Sequence, residues 1–260
     1  MRKQLYYITC VTNLHVGSGD INYNIVDKEV EKDPVTGLPT IHASGIKGAL
    51  RDAFRQADGA NKAQESWIFG DAGNNEKEDS TGAYHFLNAQ FISRPMRVKG
   101  FGSSIAVTTV DAINDFVSTV QSFGLSSPVE PVSDAEIVFP QDTPFLASVS
   151  NVNVEGEKTE LLPKAVIEKL KPLLGDRFAI AASLDEYDLP VIARNNLQTK
   201  NGNLWYEEYV PHGSRFYCIV LSPEEKDAGN HPAYALPELV QFGGNASIGY
   251  GYCKIEKAEG

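Results

Sequence analysis

Apolar positions along the chain change period several times, and each change marks an element. Leu5–Thr12 is dense in aromatic and β-branched residues and predicts a buried strand. From Ser44 the period turns helical. Ile46, Ala49, Leu50, Ala53 and Phe54 recur three and four apart and predict a helix over 44–57. Tyr84–Ile92 predicts a second strand. Asp111–Phe123 places Ile113, Phe116, Val117 and Val120 at helical spacing, and Pro163–Leu174 predicts a helix opened by proline. Arg215–Leu221 predicts a core strand, Tyr234–Phe242 a helix and Tyr250–Glu256 a closing strand. The polar stretch 194–204 ends in Asn201-Gly-Asn203, a turn signal between two strand-like runs, and predicts a projecting hairpin.

Taken in order, strand 5–12, helix 44–57, strands 84–92 and 215–221, helix 234–242 and strand 250–256 give β-α-β-β-α-β. This is an α+β, ferredoxin-like arrangement. The expected organisation is a single domain over 1–260. Its palm comes from 1–92 and 215–260, and a large insertion over 93–214 carries the hairpin.

Charge complicates the search for a partner. The formal net charge is −11, which argues against a free-standing nucleic-acid binder. A local basic groove stays open, because phosphates feel charges within about 8 Å at physiological salt. Cys10, Cys218 and Cys253 lie far apart at no metal or redox spacing, which fits buried free thiols. No signal-peptide pattern follows Arg2 and Lys3, and no apolar run nears the ~20 residues of a membrane span. A cytoplasmic protein with no membrane partner is expected.

Chemistry concentrates in 24–51. Asp27, Glu29, Glu31 and Asp33 come first, then a turn on Asp33-Pro34 and Gly37-Leu38-Pro39. Ser44 is placed to cap the following helix, and Lys47, Arg51 and Arg55 make a basic stripe along it. A capped N-terminus beside Lys47 and Arg51 suits a phosphate chain; a solvated face on a core helix fits the spacing equally well. Arg94, Arg97 and Lys99 form a second basic patch, expected in a loop just past a strand end. Gly243–Gly251 lacks the Gly-Lys-Ser/Thr of a phosphate loop and precedes a strand, so it offers close backbone approach instead.

The run from Asp27 through the turn to Ser44-Gly-Ile-Lys-Gly-Ala-Leu-Arg51 resembles the signature of the RAMP superfamily. More narrowly, it resembles the repeated backbone subunit of type III-B CRISPR (Cmr) effector complexes. Leu14-His-Val-Gly-Ser-Gly19, Leu204-Trp-Tyr-Glu-Glu-Tyr-Val-Pro211 and Gln241-Phe-Gly-Gly-Asn-Ala-Ser-Ile-Gly-Tyr-Gly-Tyr252 follow in family order. The resemblance implies an RRM-like palm and a hairpin thumb, here with Asn195, Asn196 and Gly202, that inserts into a guide–target duplex. It implies endoribonuclease activity in a multi-subunit complex, cutting target RNA at regular intervals. Asp27 would be the catalytic carboxylate and would meet a divalent metal ion, magnesium or manganese; Glu29 and Glu31 are its alternatives.

The implied RNA-binding residues are His15, Ser44, Lys47, Arg51, Arg97, Gly243, Gly244, Gly249 and Gly251. The implied partners are guide (CRISPR) RNA, single-stranded target RNA, other Cmr subunits and copies of the chain itself in a helical filament. A purely structural guide-binding subunit is the rival expectation. A stand-alone RNA-processing nuclease would need a histidine near the glycine-rich loop, and no histidine lies in 232–260.

Overall fold

The computed structural model describes all residues except 18, 20–25, 72–79, 101, 138, 140–145, 185–188, 197–202, 228, 230 and 260. The chain opens with Arg2–Cys10 (β1), Ala43–Gln56 (α1), Lys62–Phe69 (α2), Gly70–Asp71 (β2), Ser80–Thr81 (β3) and His85–Phe86 (β4). Gln90–Val98 (β5), Ser103–Thr109 (β6), Val110–Ser122 (α3), Leu146–Ser148 (β7), Thr159–Leu161 (β8) and Lys164–Leu174 (α4) follow. Phe178–Ala181 (β9), Val191–Asn196 (β10), Asn203–Glu208 (β11), Arg215–Ser222 (β12), Leu239–Gln241 (β13) and Tyr252–Lys257 (β14) complete it.

The result is a mixed α+β fold around one large mixed sheet, ordered β13-β14-β1-β12-β5-β6-β9-β7-β8, with β4 beside β12. Strands β10 and β11 form a separate antiparallel hairpin. The continuous apolar run of β12 is explained by cover on both faces. Phe216, Cys218 and Val220 enter the core under α1 and α2, while Tyr217 and Ile219 enter the core under α3 and α4. Each such buried side chain contributes about 1.5–3 kcal/mol. No helix among the described residues is long and apolar enough to cross a membrane.

The order β14-β1-β12-β5 is the one a β-α-β-β-α-β unit gives, and its first helix, α1, forms. The second does not. Pro237 disfavours helical backbone at Leu236 and has no N–H to donate, which weakens the expected helix over 234–242. Leu239–Gln241 instead pairs with β14 as an edge strand. Tyr234 turns inward, its N–H donating to Tyr84 Oη at 2.8 Å. Where a second helix would pack there is a cavity of about 660 Å3 whose lining includes Tyr6, Trp67, Tyr84 and His231.

The expected strand over 84–92 is broken at 87–89. Ala89 leaves the sheet to exchange backbone hydrogen bonds with Ile41, at 2.8 and 3.1 Å. The strand then restarts and runs on to Val98, so Arg94 and Arg97 lie in β5 rather than in a loop. Residues 93–214 extend the same sheet through β6, β9, β7 and β8.

Candidate functional site

Residues 27–32 form an extended ribbon held against the root of the β10–β11 hairpin. Lys28 bridges Glu207 in parallel fashion, and Val30 bridges Gly17. At the ribbon's start Asp27 and Tyr206 are tied twice. Asp27 N–H donates to the Tyr206 carbonyl at 3.1 Å, and Tyr206 N–H donates to Asp27 Oδ2 at 2.7 Å. Asp27 is exposed, and among the described residues no cation pairs with it and Oδ1 accepts no hydrogen bond. The other carboxylates differ. Glu31 pairs with His42 Nε2 at 2.9 Å. Asp33 closes the turn by accepting from the N–H groups of Val35 and Thr36, both at 2.9 Å. The Thr36 N–H, with that of Val35, holds the Asp33 carboxyl below the usual aspartate range.

Two buried glutamates occupy consecutive positions on β11. Glu207, 1% exposed, meets Arg194 Nε of β10 at 3.3 Å and accepts from Asn245 Nδ2 of the glycine-rich loop. Glu208, 5% exposed, accepts from Lys32 Nζ at 2.9 Å and Val30 N–H at 3.1 Å. The Arg194 guanidinium also lies over the Tyr250 ring, 4.9 Å from its centroid. Lys28 Nζ covers Trp205 at 5.2 Å. The hairpin root therefore gathers the ribbon, the glycine-rich loop and the loop after β1.

His15 is buried, with Nδ1 at 2.8 Å from the Glu208 carbonyl. A carbonyl only accepts, so Nδ1 carries the proton. The His15 carbonyl in turn accepts from Gly244 N–H at 2.9 Å. Gly243 and Gly251 both have positive φ, and a Cβ on either would strike backbone: the His15 carbonyl in one case, the Phe242 carbonyl in the other. These two glycines serve close packing within the protein. Gly249 faces open space.

On α1 the residues of the basic stripe have separate surroundings. The helix starts at Ala43 with His42 as its N-cap, so Ser44 lies inside the first turn, and Asn88 Oδ1 accepts from Ala43 N–H at 2.8 Å in the cap's place. Arg51 donates to the Gly70 carbonyl and sits 3.5 Å from Glu65 of α2. Arg55 donates twice to Glu65, at 2.7 and 3.0 Å, and this hydrogen bonding lowers the Glu65 pKa. Lys47 is half-buried and makes no ion pair or hydrogen bond among the described residues. Arg97 is exposed in β5. Asn195 is exposed on β10, and Asn196 pairs through its backbone with Asn203; Gly202 lies outside the described residues.

Sequence reasoning missed Arg194, Glu207, Glu208, Asn245 and the Asn88 cap. Its available signal was the pair Glu207-Glu208 inside an otherwise apolar strand, since carboxylates are rarely buried unless partnered.

The profile of the RAMP superfamily matches residues 7–254. The chain belongs to the RAMP superfamily. Among its relatives, the CRISPR system Cmr endoribonuclease Cmr4 of Pyrococcus furiosus is 23% identical over all of this chain and 97% of its own. The CRISPR system CMR subunit Cmr4 of Saccharolobus solfataricus is 27% identical over 96% of this chain and 94% of its own. The fold is shared with a chain of the type III-B Cmr-beta complex bound to cognate target RNA, at TM-score 0.73 and 21% identity over 99% and 97% of the two chains. It is also shared with oligomeric Cmr4 from Pyrococcus furiosus, at TM-score 0.67 and 21% identity over 100% and 99%. This RAMP chain thus matches these relatives over most of its length.

Proposed function

We propose that this chain is the endoribonuclease backbone subunit of a type III-B Cmr complex. It binds guide RNA and cuts complementary target RNA at regular intervals. The name of the Pyrococcus furiosus relative supports the activity class, and one observation carries the site: Asp27 hangs by Oδ2 from the hairpin backbone, while among the described residues Oδ1 accepts no hydrogen bond. RNA brings its own nucleophile, so the protein need only hold a linkage in line and present a proton acceptor or metal ligand beside it. The 2′-oxygen then attacks the adjacent phosphorus and the 5′-oxygen leaves.

No three His, Cys, Asp or Glu residues cluster to hold a metal among the described residues. One free carboxylate oxygen still fits magnesium or manganese, which are commonly held by one or two carboxylates, water and substrate phosphates. Asp27 would be that ligand, and the ion would stabilise charge building on the phosphate oxygens. In this reading the hairpin is the thumb that separates neighbouring cut sites. Lys47 and Arg97 contact guide phosphates, and the ferredoxin-like order β14-β1-β12-β5 is the palm within a single domain.

The test uses complex reconstituted with guide RNA. Asp27→Asn is expected to assemble and bind target normally and to cut nothing. Even-interval cutting by the variant would move the role to Glu29 or Glu31, or leave the purely structural guide-binding role for this subunit.

A further inference from the structure

Glu208 commits all four of its polar groups to the two segments flanking the hairpin root. Its N–H donates to the Lys28 carbonyl at 2.9 Å, and its own carbonyl faces His15 Nδ1 at 2.8 Å. Its carboxylate divides between Lys32 Nζ at 2.9 Å and Val30 N–H at 3.1 Å. Residues 28, 30 and 32 are thereby fixed to one point of β11, and two positions earlier on that strand Tyr206 N–H holds Asp27. The ribbon carrying Asp27 cannot slide along the hairpin without breaking several of these bonds together. Val30 is buried, so loss of the carboxylate would strand its N–H without water or partner.

We propose that Glu208 is a positioning residue for RNA cleavage: it touches no RNA and acts by setting where the Asp27 carboxylate stands. The inference rests on the catalytic reading of Asp27. An error of about 1 Å in placing a reacting group can cost about 100-fold in rate, so misplacement should show in the chemical step rather than in target affinity. A glutamine at this position keeps an acceptor for Val30 N–H but turns an NH2 group, which cannot accept, towards Lys32.

The experiment compares Glu208→Ala, Glu208→Gln, Lys32→Met and Asp27→Asn in the reconstituted complex, measuring single-turnover cleavage and target Kd separately. Glu208→Ala is expected to slow cleavage by about 10- to 100-fold while target Kd stays within about twofold. Glu208→Gln should recover most of that rate. If the alanine variant does not assemble, Lys32→Met carries the test, with a fall of about twofold, the loss of one partly exposed ion pair. Rate and affinity falling together would overturn positioning in favour of a merely structural role. Wild-type rates in Glu208→Gln and Lys32→Met, with no slowing in any assembled Glu208→Ala, would also overturn it, provided Asp27→Asn is inactive. Cleavage by Asp27→Asn would fell the catalytic reading itself, and this inference with it.

Discussion

Asp27 and Asp33 stand six residues apart in one acidic run and have different surroundings. Asp27 keeps an oxygen without a partner among the described residues at an exposed edge, whereas Asp33 is consumed by its own turn. Because the Thr36 and Val35 N–H groups lower the Asp33 pKa, its ionised form is favoured by folding. The sign follows directly. The stabilisation is complete above the ordinary aspartate range, near 3.9, and is lost as pH falls through the lowered folded value. Asp33→Asn keeps an acceptor but no charge. Urea midpoints measured between about pH 5 and pH 2 should therefore fall less steeply for the variant than for the natural chain; parallel curves would show that the turn does not prefer the charged form. The sequence placed Asp33 in a turn by its Asp-Pro pair, but it singled out Asp27 only through the family resemblance, since spacing alone treats a carboxylate in a polar run as solvated. The partners of Glu207 and Glu208 were invisible for the same reason: Asn245, Arg194, Val30 and Lys32 come from three other segments, and no local pattern records such meetings.

At the scale of elements, α1 was legible to within one residue because its apolar stripe is regular and strong. Its polar side was not, because Glu65, which claims Arg51 and Arg55, lies on a different helix. The stripe thus divides into Lys47, unpaired among the described residues, and two committed arginines, and the two groups should respond differently to substitution. Lys47→Ala should leave the melting temperature unchanged and reduce the salt slope of guide binding by about one unit. Glu65→Ala should lower the melting temperature by stripping Arg55 of its two hydrogen bonds and Arg51 of its ion pair, with little change in that slope. Equal loss of slope from Lys47→Ala and Arg51→Ala would show that Arg51 leaves Glu65 when RNA arrives. The opposite lesson comes from 234–242. Its helical spacing is genuine, yet Pro237 and the open edge of β14 decide for a strand, a tertiary choice that periodicity cannot register.

For the whole molecule the question is how a chain of net charge −11 would hold the guide strand proposed for it. Six basic residues stood out in the sequence around the expected RNA path, and the structure reduces that supply. Arg51 and Arg55 face Glu65, and Arg94 is 4% exposed, which leaves Lys47, Arg97 and Lys99. Three cations neutralise only about three phosphates, too few for one copy to retain a guide at physiological salt. Copies stacked head to tail would join such patches into one positive channel, and a heterologous contact that does not close on itself grows as a filament. The acidic remainder, facing outward, would oppose association in the absence of RNA. Assembly should then be weak for protein alone and cooperative with guide, and RNA length should set the number of copies. Light scattering with guides of increasing length measures this as a particle mass that climbs in steps of one protein. A single mass at every length would rule out the filament and leave a discrete binding module, whose missing cations would have to come from another subunit.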